Sequence, residues 1–135
     1  MKRLVFLLLV LSAGCANAGD VIVSTVTWHP NVEADWNAVT PGISYRANGY
    51  EGGVYRNSLK VGATYNVPTK PHSVYGGYHF RTPIPKTTLM LLIVSGYNAT
   101  VIPAAVFAVR TSKSTEVLAI PGLNTPSAIS LRVLF

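Results

Sequence analysis

From residue 21 onward the chain is a succession of short apolar segments, each of strand length and each stopped by a turn-forming cluster. Candidate strands run over 21–28, 43–47, 50–55, 61–67, 73–80, 89–95, 101–109, 115–120 and 128–135, nine in all, with eight as the working number because some segments are loop. The breaks are Pro41-Gly42, Asn48-Gly49, Pro68-Thr69-Lys70-Pro71, Thr82-Pro83-Ile84-Pro85, Gly96-Tyr97-Asn98, Thr111-Ser112-Lys113-Ser114 and Pro121-Gly122-Leu123-Asn124-Thr125-Pro126. Asn48-Gly49 between two alternating runs is the strongest hairpin signal, since both residues tolerate the positive φ that a tight turn needs. The β-branched residues and tyrosines fit a pleated sheet, while 11 Gly and 9 Pro argue against a helical bundle. No internal repeat or linker interrupts the pattern, and 135 residues suit one domain.

Charge narrows the class further. Charged residues are 12% of the chain against 49% hydrophobic, where an ordinary soluble domain carries about 25% charge. That balance excludes intrinsic disorder, which requires many charges and little apolar surface. The uncharged span 87–109 is long enough to raise a membrane helix, but Ser95-Gly96-Tyr97-Asn98 and Pro103 split it into two strand-length pieces.

The first eighteen residues read as an export signal. Lys2 and Arg3 precede the apolar run 4–11, and Ala16-Asn17-Ala18 forms an A-x-A cleavage site. The expected domains are therefore a signal peptide over 1–18 and a single β-domain over 19–135. Cys15 allows a second processing route, because Leu11-Ser12-Ala13-Gly14-Cys15 resembles a lipobox with its leucine one position early. Cleavage after Ala18 leaves no cysteine and hence no disulfide. By either route the protein leaves the cytoplasm.

Eight transmembrane strands of about 9–11 residues fit within the exported portion. Closing them into a ring satisfies every backbone group without an edge, as a bilayer demands. Leu131-Arg132-Val133-Leu134-Phe135 closes the chain on an apolar strand with a terminal Phe, as bacterial outer-membrane barrels commonly do. The fold expected is an all-β, antiparallel, closed barrel of about eight strands in the outer membrane; a soluble sandwich is the alternative.

The polar motifs fall in a suggestive order: Thr27-Trp28-His29 after the first strand, Trp36-Asn37 and Pro41-Gly42 before the second, and Tyr55-Arg56-Asn57-Ser58 at the end of the third. Ser73-Val74-Tyr75-Gly76-Gly77-Tyr78, Val101-Ile102-Pro103 and Ile120-Pro121-Gly122 complete the series. This order resembles the outer-membrane lipid A palmitoyltransferases (PagP type) and their small bacterial and phage relatives. The resemblance implies an eight-stranded barrel whose functional residues, a His after the first strand and an Asp-Ser pair near the third, lie at the outer surface. They match His29, Asn57 and Ser58, with an amide where the family has an acid. Only Gly19 and Asp20 separate the signal from the first strand, so the family's N-terminal amphipathic helix has no counterpart in this reading. The 14-residue interval between Ser58 and Ser73 is longer than the family's, suggesting an enlarged hairpin or loop over 59–72.

Acyl transfer from a phospholipid ester needs an activated hydroxyl, a base titrating near neutrality and a stabiliser for the oxyanion. The resemblance assigns the base to His29 and the hydroxyl to Ser58, as nucleophile or as a donor polarising the carbonyl. Asn57 supplies orientation or an oxyanion hydrogen bond but no charge. The implied partners are phospholipid and lipopolysaccharide, met by a monomer in the outer membrane. The alternative is an inactive barrel of the same family that binds lipid or acts as a surface structural protein. By themselves, a His and an Asn-Ser pair at strand ends are ordinary loop polar groups. His72 and His79 match no motif and are read as solvated; Tyr50, Tyr55, Tyr75, Tyr78 and Tyr97 are read as interface or barrel-lining rings. Scattered basic residues give no nucleic-acid stripe despite a pI near 9.7, and neither a metal-ligand spacing nor a cofactor loop is present.

Overall fold

A computed structural model describes residues 19–30, 38–58, 70–96, 101–121 and 127–135. It contains eight strands: β1 (Asp20–Trp28), β2 (Val39–Ala47), β3 (Tyr50–Arg56), β4 (His72–Arg81), β5 (Thr87–Val94), β6 (Ile102–Arg110), β7 (Thr115–Ile120) and β8 (Ala128–Leu134). Each pairs antiparallel with the next, and β8 pairs back onto β1, closing the barrel. Reciprocal bonds between Val21 and Phe135, at 3.1 and 2.8 Å, carry that seam beyond the last strand residue. Closure leaves no unpaired edge on which another chain could add. The all-β closed barrel expected from the sequence is thus present, and no described helix is long and apolar enough to cross a membrane. The export signal over 1–18, the segment 61–67 and Tyr97 lie outside the described residues.

Local sequence explains the short connections. Asn48 and Gly49 take φ of 52° and 83°, the left-handed values of a two-residue hairpin. A Cβ on Gly49 would also come within 2.8 Å of the Tyr78 ring, so the site excludes larger residues twice over. One expectation needs correction. Pro41-Gly42 does not delay β2; the strand starts at Val39 and runs through both residues. The register against β1 shifts between Ser24 and Val26, opposite this pair, so Pro41 sits at an irregularity where a missing N–H is tolerated. Gly42 faces Tyr55 across the β2–β3 pair, and a Cβ there would lie 2.7 Å from the Tyr55 Cβ.

Apolar residues stand on both faces of the wall, and buried charges are added to the inward one. Outward positions are apolar and open: Ile43 is 56% exposed, Val74 59% and Ile93 58%. Inward positions include Glu51 at 3% and Arg132 at 1%. Alternation of side chains along each strand produces this division. Inside, Met90, Leu92, Val94, Val106, Ala108 and Leu118 from β5, β6 and β7 form an apolar cluster, packed by Tyr55 and Tyr75. Outside, Tyr50, Tyr78 and Phe80 stack edge-on with centroids 4.8 and 4.9 Å apart.

The barrel has unlike ends. One carries the hairpin turns at 48–49, 82–86 and 111–114 together with the start of β1 and the end of β8. The other carries the longer connections 29–38, 57–71, 95–101 and 121–127. The three stacked rings lie toward the turn end, and the exposed Trp28 lies at the loop end.

Candidate active site and the charged lumen

His29 directly follows β1, and Ser58 lies two residues beyond β3. Their side chains meet at the loop end, with His29 Nε2 2.6 Å from Ser58 Oγ. The other ring nitrogen, Nδ1, lies 2.9 Å from the backbone carbonyl of Ser127. A carbonyl only accepts, so Nδ1 carries the proton and donates to Ser127. In the neutral ring Nε2 is then a lone-pair acceptor, and the Ser58 hydroxyl donates to it. Burial pushes the His29 pKa down, and this outweighs the upward pull of the Ser127 bond. The imidazole is therefore neutral near pH 7, the protonation state a base requires.

Ser127 reaches this place because β8 closes against β1, pairing Ile129 with Trp28. Below the histidine, Thr27 Oγ1 lies 2.7 Å from Thr40 Oγ1 and donates to Ser130 Oγ at 3.2 Å. These hydroxyls come from β1, β2 and β8 and form a polar floor.

Asn57 is placed differently from its neighbour. Its side chain is buried, donates to the Lys70 carbonyl at 2.7 Å and accepts from Ser73 Oγ at 2.8 Å. Its backbone N–H donates to the Pro71 carbonyl at 2.9 Å. Asn57 thus ties the two ends of the 57–71 connection together, one residue before Ser58. Of the three residues singled out from the sequence, the structure brings His29 and Ser58 into one hydrogen bond and gives Asn57 to the adjoining loop closure. The Ser127 carbonyl and Thr40 escape sequence reasoning, and Thr27 and Ser73 stand in the quoted motifs without a role assigned to them. A carbonyl has no side-chain signature, and the hydroxyls could be found only from their inward strand phase.

A second polar assembly fills the lumen toward the turn end. Glu51 Oε1 accepts from Ser44 Oγ at 3.1 Å, Tyr75 Oη at 2.5 Å and Arg132 NH1 at 2.5 Å. Its Oε2 accepts from Arg46 Nε at 2.9 Å, Arg46 NH2 at 2.7 Å, His79 Nε2 at 2.9 Å and Arg132 NH2 at 3.2 Å. Glu116 takes both terminal nitrogens of Arg46, at 2.9 and 2.8 Å, and also NH2 of Arg132. Two carboxylates and two guanidiniums thus balance inside the wall, as buried charges must. His79 is not solvated: it is 8% exposed, and its Nδ1 lies 2.9 Å from Thr88 Oγ1. The alternation that turns its neighbours Tyr78 and Phe80 outward turns His79 inward. His72, by contrast, is exposed.

The His29–Ser58 pair has the form of a nucleophile held by a base and an orienting group. Its orienting group is a peptide dipole, which fixes the tautomer but stabilises an imidazolium less than a carboxylate does. Among the described residues, no group of three or more His, Cys, Asp or Glu side chains is disposed to hold a metal. Comparison of the chain with protein-family models, with curated proteins and with solved structures finds no match.

Proposed function

We propose that this protein is a PagP-like barrel of the bacterial outer membrane that transfers an acyl chain from a phospholipid to lipid A. The observation that carries the chemistry is the 2.6 Å contact of Ser58 Oγ with a His29 ring whose tautomer is set by Ser127. The apolar exterior, polar lumen and aromatic residues toward both ends support the membrane setting. In the proposed reaction Ser58 Oγ attacks the phospholipid ester carbonyl as its proton passes to His29 Nε2. Collapse of the tetrahedral intermediate breaks the ester C–O bond, and His29 returns the proton to the departing lysophospholipid oxygen. An acceptor hydroxyl on lipid A then gives its proton to His29 and attacks the acyl-serine carbonyl; the acyl C–Oγ bond breaks, and His29 returns the proton to Ser58 Oγ. Asn57 positions the serine through the 57–71 closure.

The test is mass spectrometry of lipid A from Gram-negative cells expressing wild type, His29→Ala or Ser58→Ala. An added acyl chain in wild type, lost in both variants, is the expected result. Unchanged lipid A in all three overturns the reading. The bonding of Asn57 favours a second reading, an inactive family member that acts as a lipid-binding or surface structural barrel. Where the family carries an acid, this chain has an amide committed to Lys70 and Ser73. Heat-modifiable migration of the detergent-extracted protein is expected on either reading.

A further inference from the structure

Lys86, Arg110, Ser112 and Lys113 line a recess of about 470 Å³ between the 82–86 and 111–114 turns. Lys86, Arg110 and Lys113 each contribute to its lining, so an anion seated there lies within reach of three cationic residues. The carboxylate that approaches the group is Asp20, whose Oδ2 lies 3.7 Å from Arg110 NH2 on a pair about 40% exposed. Arg110 is held from three sides: its backbone N–H donates to the Lys86 carbonyl at 2.8 Å, NH2 donates to the Lys113 carbonyl at 3.0 Å, and Asp20 stands beside it. Within that frame its Nε is buried and, among the described residues, has no hydrogen-bond partner, a condition it shares with Arg132 Nε in the lumen. A buried guanidinium N–H without an acceptor is costly, and an anion beside the exposed part of the same guanidinium offsets that cost through its charge.

The backbone adds a second observation. Lys86 adopts φ of 60°, a left-handed conformation that a lysine rarely takes. The strain is held by hydrogen bonds around it: the Lys86 carbonyl accepts from Arg110, Thr87 N–H donates to the Ile84 carbonyl at 3.2 Å, and Thr82 Oγ1 donates to the Thr87 carbonyl at 2.9 Å. Persisting strain of this kind is concentrated where a side chain must be presented in one place. Ser112 Oγ is already engaged, accepting from Ser114 N–H at 3.1 Å and lying 2.7 Å from Thr115 Oγ1. The lysines and Arg110 therefore supply the recognition. The exposed Ile84 lies on the 82–86 turn, with Phe80 and Val109 on the adjoining strand ends. This juxtaposition of apolar and cationic groups matches the boundary between acyl chains and headgroups.

We infer that this recess binds a phosphate group, and that its source is the headgroup of an anionic phospholipid in the leaflet surrounding the turn end. The lipid source rests on the membrane setting proposed above, whereas the phosphate chemistry does not. The experiment uses the isotope-labelled, full-length exported barrel in dodecyl maltoside, a detergent without phosphate. Inorganic phosphate, short-chain phosphatidylglycerol and the corresponding diacylglycerol are titrated separately. The readouts are the Arg110 Nε–H signal and the amide signals of Lys86, Ser112 and Lys113. Saturable shifts with phosphatidylglycerol but not diacylglycerol are expected, with a midpoint raised at least tenfold in Lys86→Ala/Lys113→Ala. A lipid midpoint below that of inorganic phosphate supports the headgroup source; equal midpoints overturn that source and leave a free-phosphate site. Absence of saturation with either phosphate probe, or an unchanged midpoint in the double variant, overturns the site itself. Unaltered signals away from the two turns show that the variant is folded. Lipid A acylation is read on separate samples, so failure here leaves the proposed activity standing.

Discussion

The two ends of the lumen solve the problem of enclosing polar groups in opposite ways. Toward the turns, four charged side chains from β2, β3, β7 and β8 share nearly every donor and acceptor they possess. Toward the loops, His29 and Ser58 form an uncharged pair held by the Ser127 carbonyl. A compensated ion cluster resists change, because moving or protonating one member leaves the others unpaired in a medium of low dielectric. A neutral imidazole–hydroxyl pair carries no net charge, and a proton passes from oxygen to nitrogen as the oxygen forms its new bond. The difference separates a part that holds the ring together from a part suited to chemistry.

Breaking the rigid end is expected to have the largest effect. Glu51→Ala leaves Arg46 and Arg132 with Glu116 as their shared carboxylate, one negative charge for two guanidiniums, and is expected to lower stability by about 3–5 kcal/mol, the cost of breaking a buried ion pair. Urea-dependent folding into lipid vesicles measures it, and a loss below about 1 kcal/mol would mean that water already screens the cluster. At the loop end Ser58→Ala is expected to cut acyl transfer at least about 10²-fold, the lower bound for losing general-base chemistry. Its folding midpoint is expected to move by no more than about 1 kcal/mol, the net worth of one hydrogen bond. Equal damage to folding and transfer would erase the distinction between the two ends.

Asn57→Asp sharpens the comparison. An acid at this position reproduces the pattern of the palmitoyltransferases that the sequence resembles, yet it replaces the Nδ2 donor with an oxygen facing the Lys70 carbonyl. The expected outcome is a stability loss of about 1–3 kcal/mol without a gain in transfer. A rise in transfer would instead assign Asn57 a direct part in catalysis. The smallest effect expected is that of pH on His29. Its folded pKa lies below the unfolded value of 6.5 because burial disfavours the imidazolium. Between the two values the unfolded chain binds more protons, so stability rises with pH. The His29 contribution is complete above pH 6.5 and is lost as pH falls through the folded value. His29→Gln is expected to flatten this part of the stability profile, measured at fixed ionic strength.

Much of the ring was legible before its geometry. Strand-length apolar runs, the Asn48-Gly49 turn and the scarcity of charge all encode local choices that the chain makes within a few residues. The start of β2 was hidden because Pro41-Gly42 carries a turn signal that only its irregular register with β1 overrides. His79 was misread for a related reason: its partner Glu51 is brought alongside by β3–β4 pairing, 28 positions away in the sequence. Arg132 lies 81 positions from Glu51, and no local window joins them. At the loop end, His29 and Ser58 were singled out through a family resemblance. The group that orients the histidine is a main-chain oxygen 98 positions away, to which any residue type contributes equally.

The seam between β1 and β8 also orders events in time. The first and last strands must find one another, so a ring assembled from β1 onward has an open margin until β8 arrives. That arrival delivers Ser127 to His29 in the same stroke. Closure of the ring and fixing of the His29 tautomer are thus one step, and a half-built intermediate lacks the carbonyl that places the proton on Nδ1.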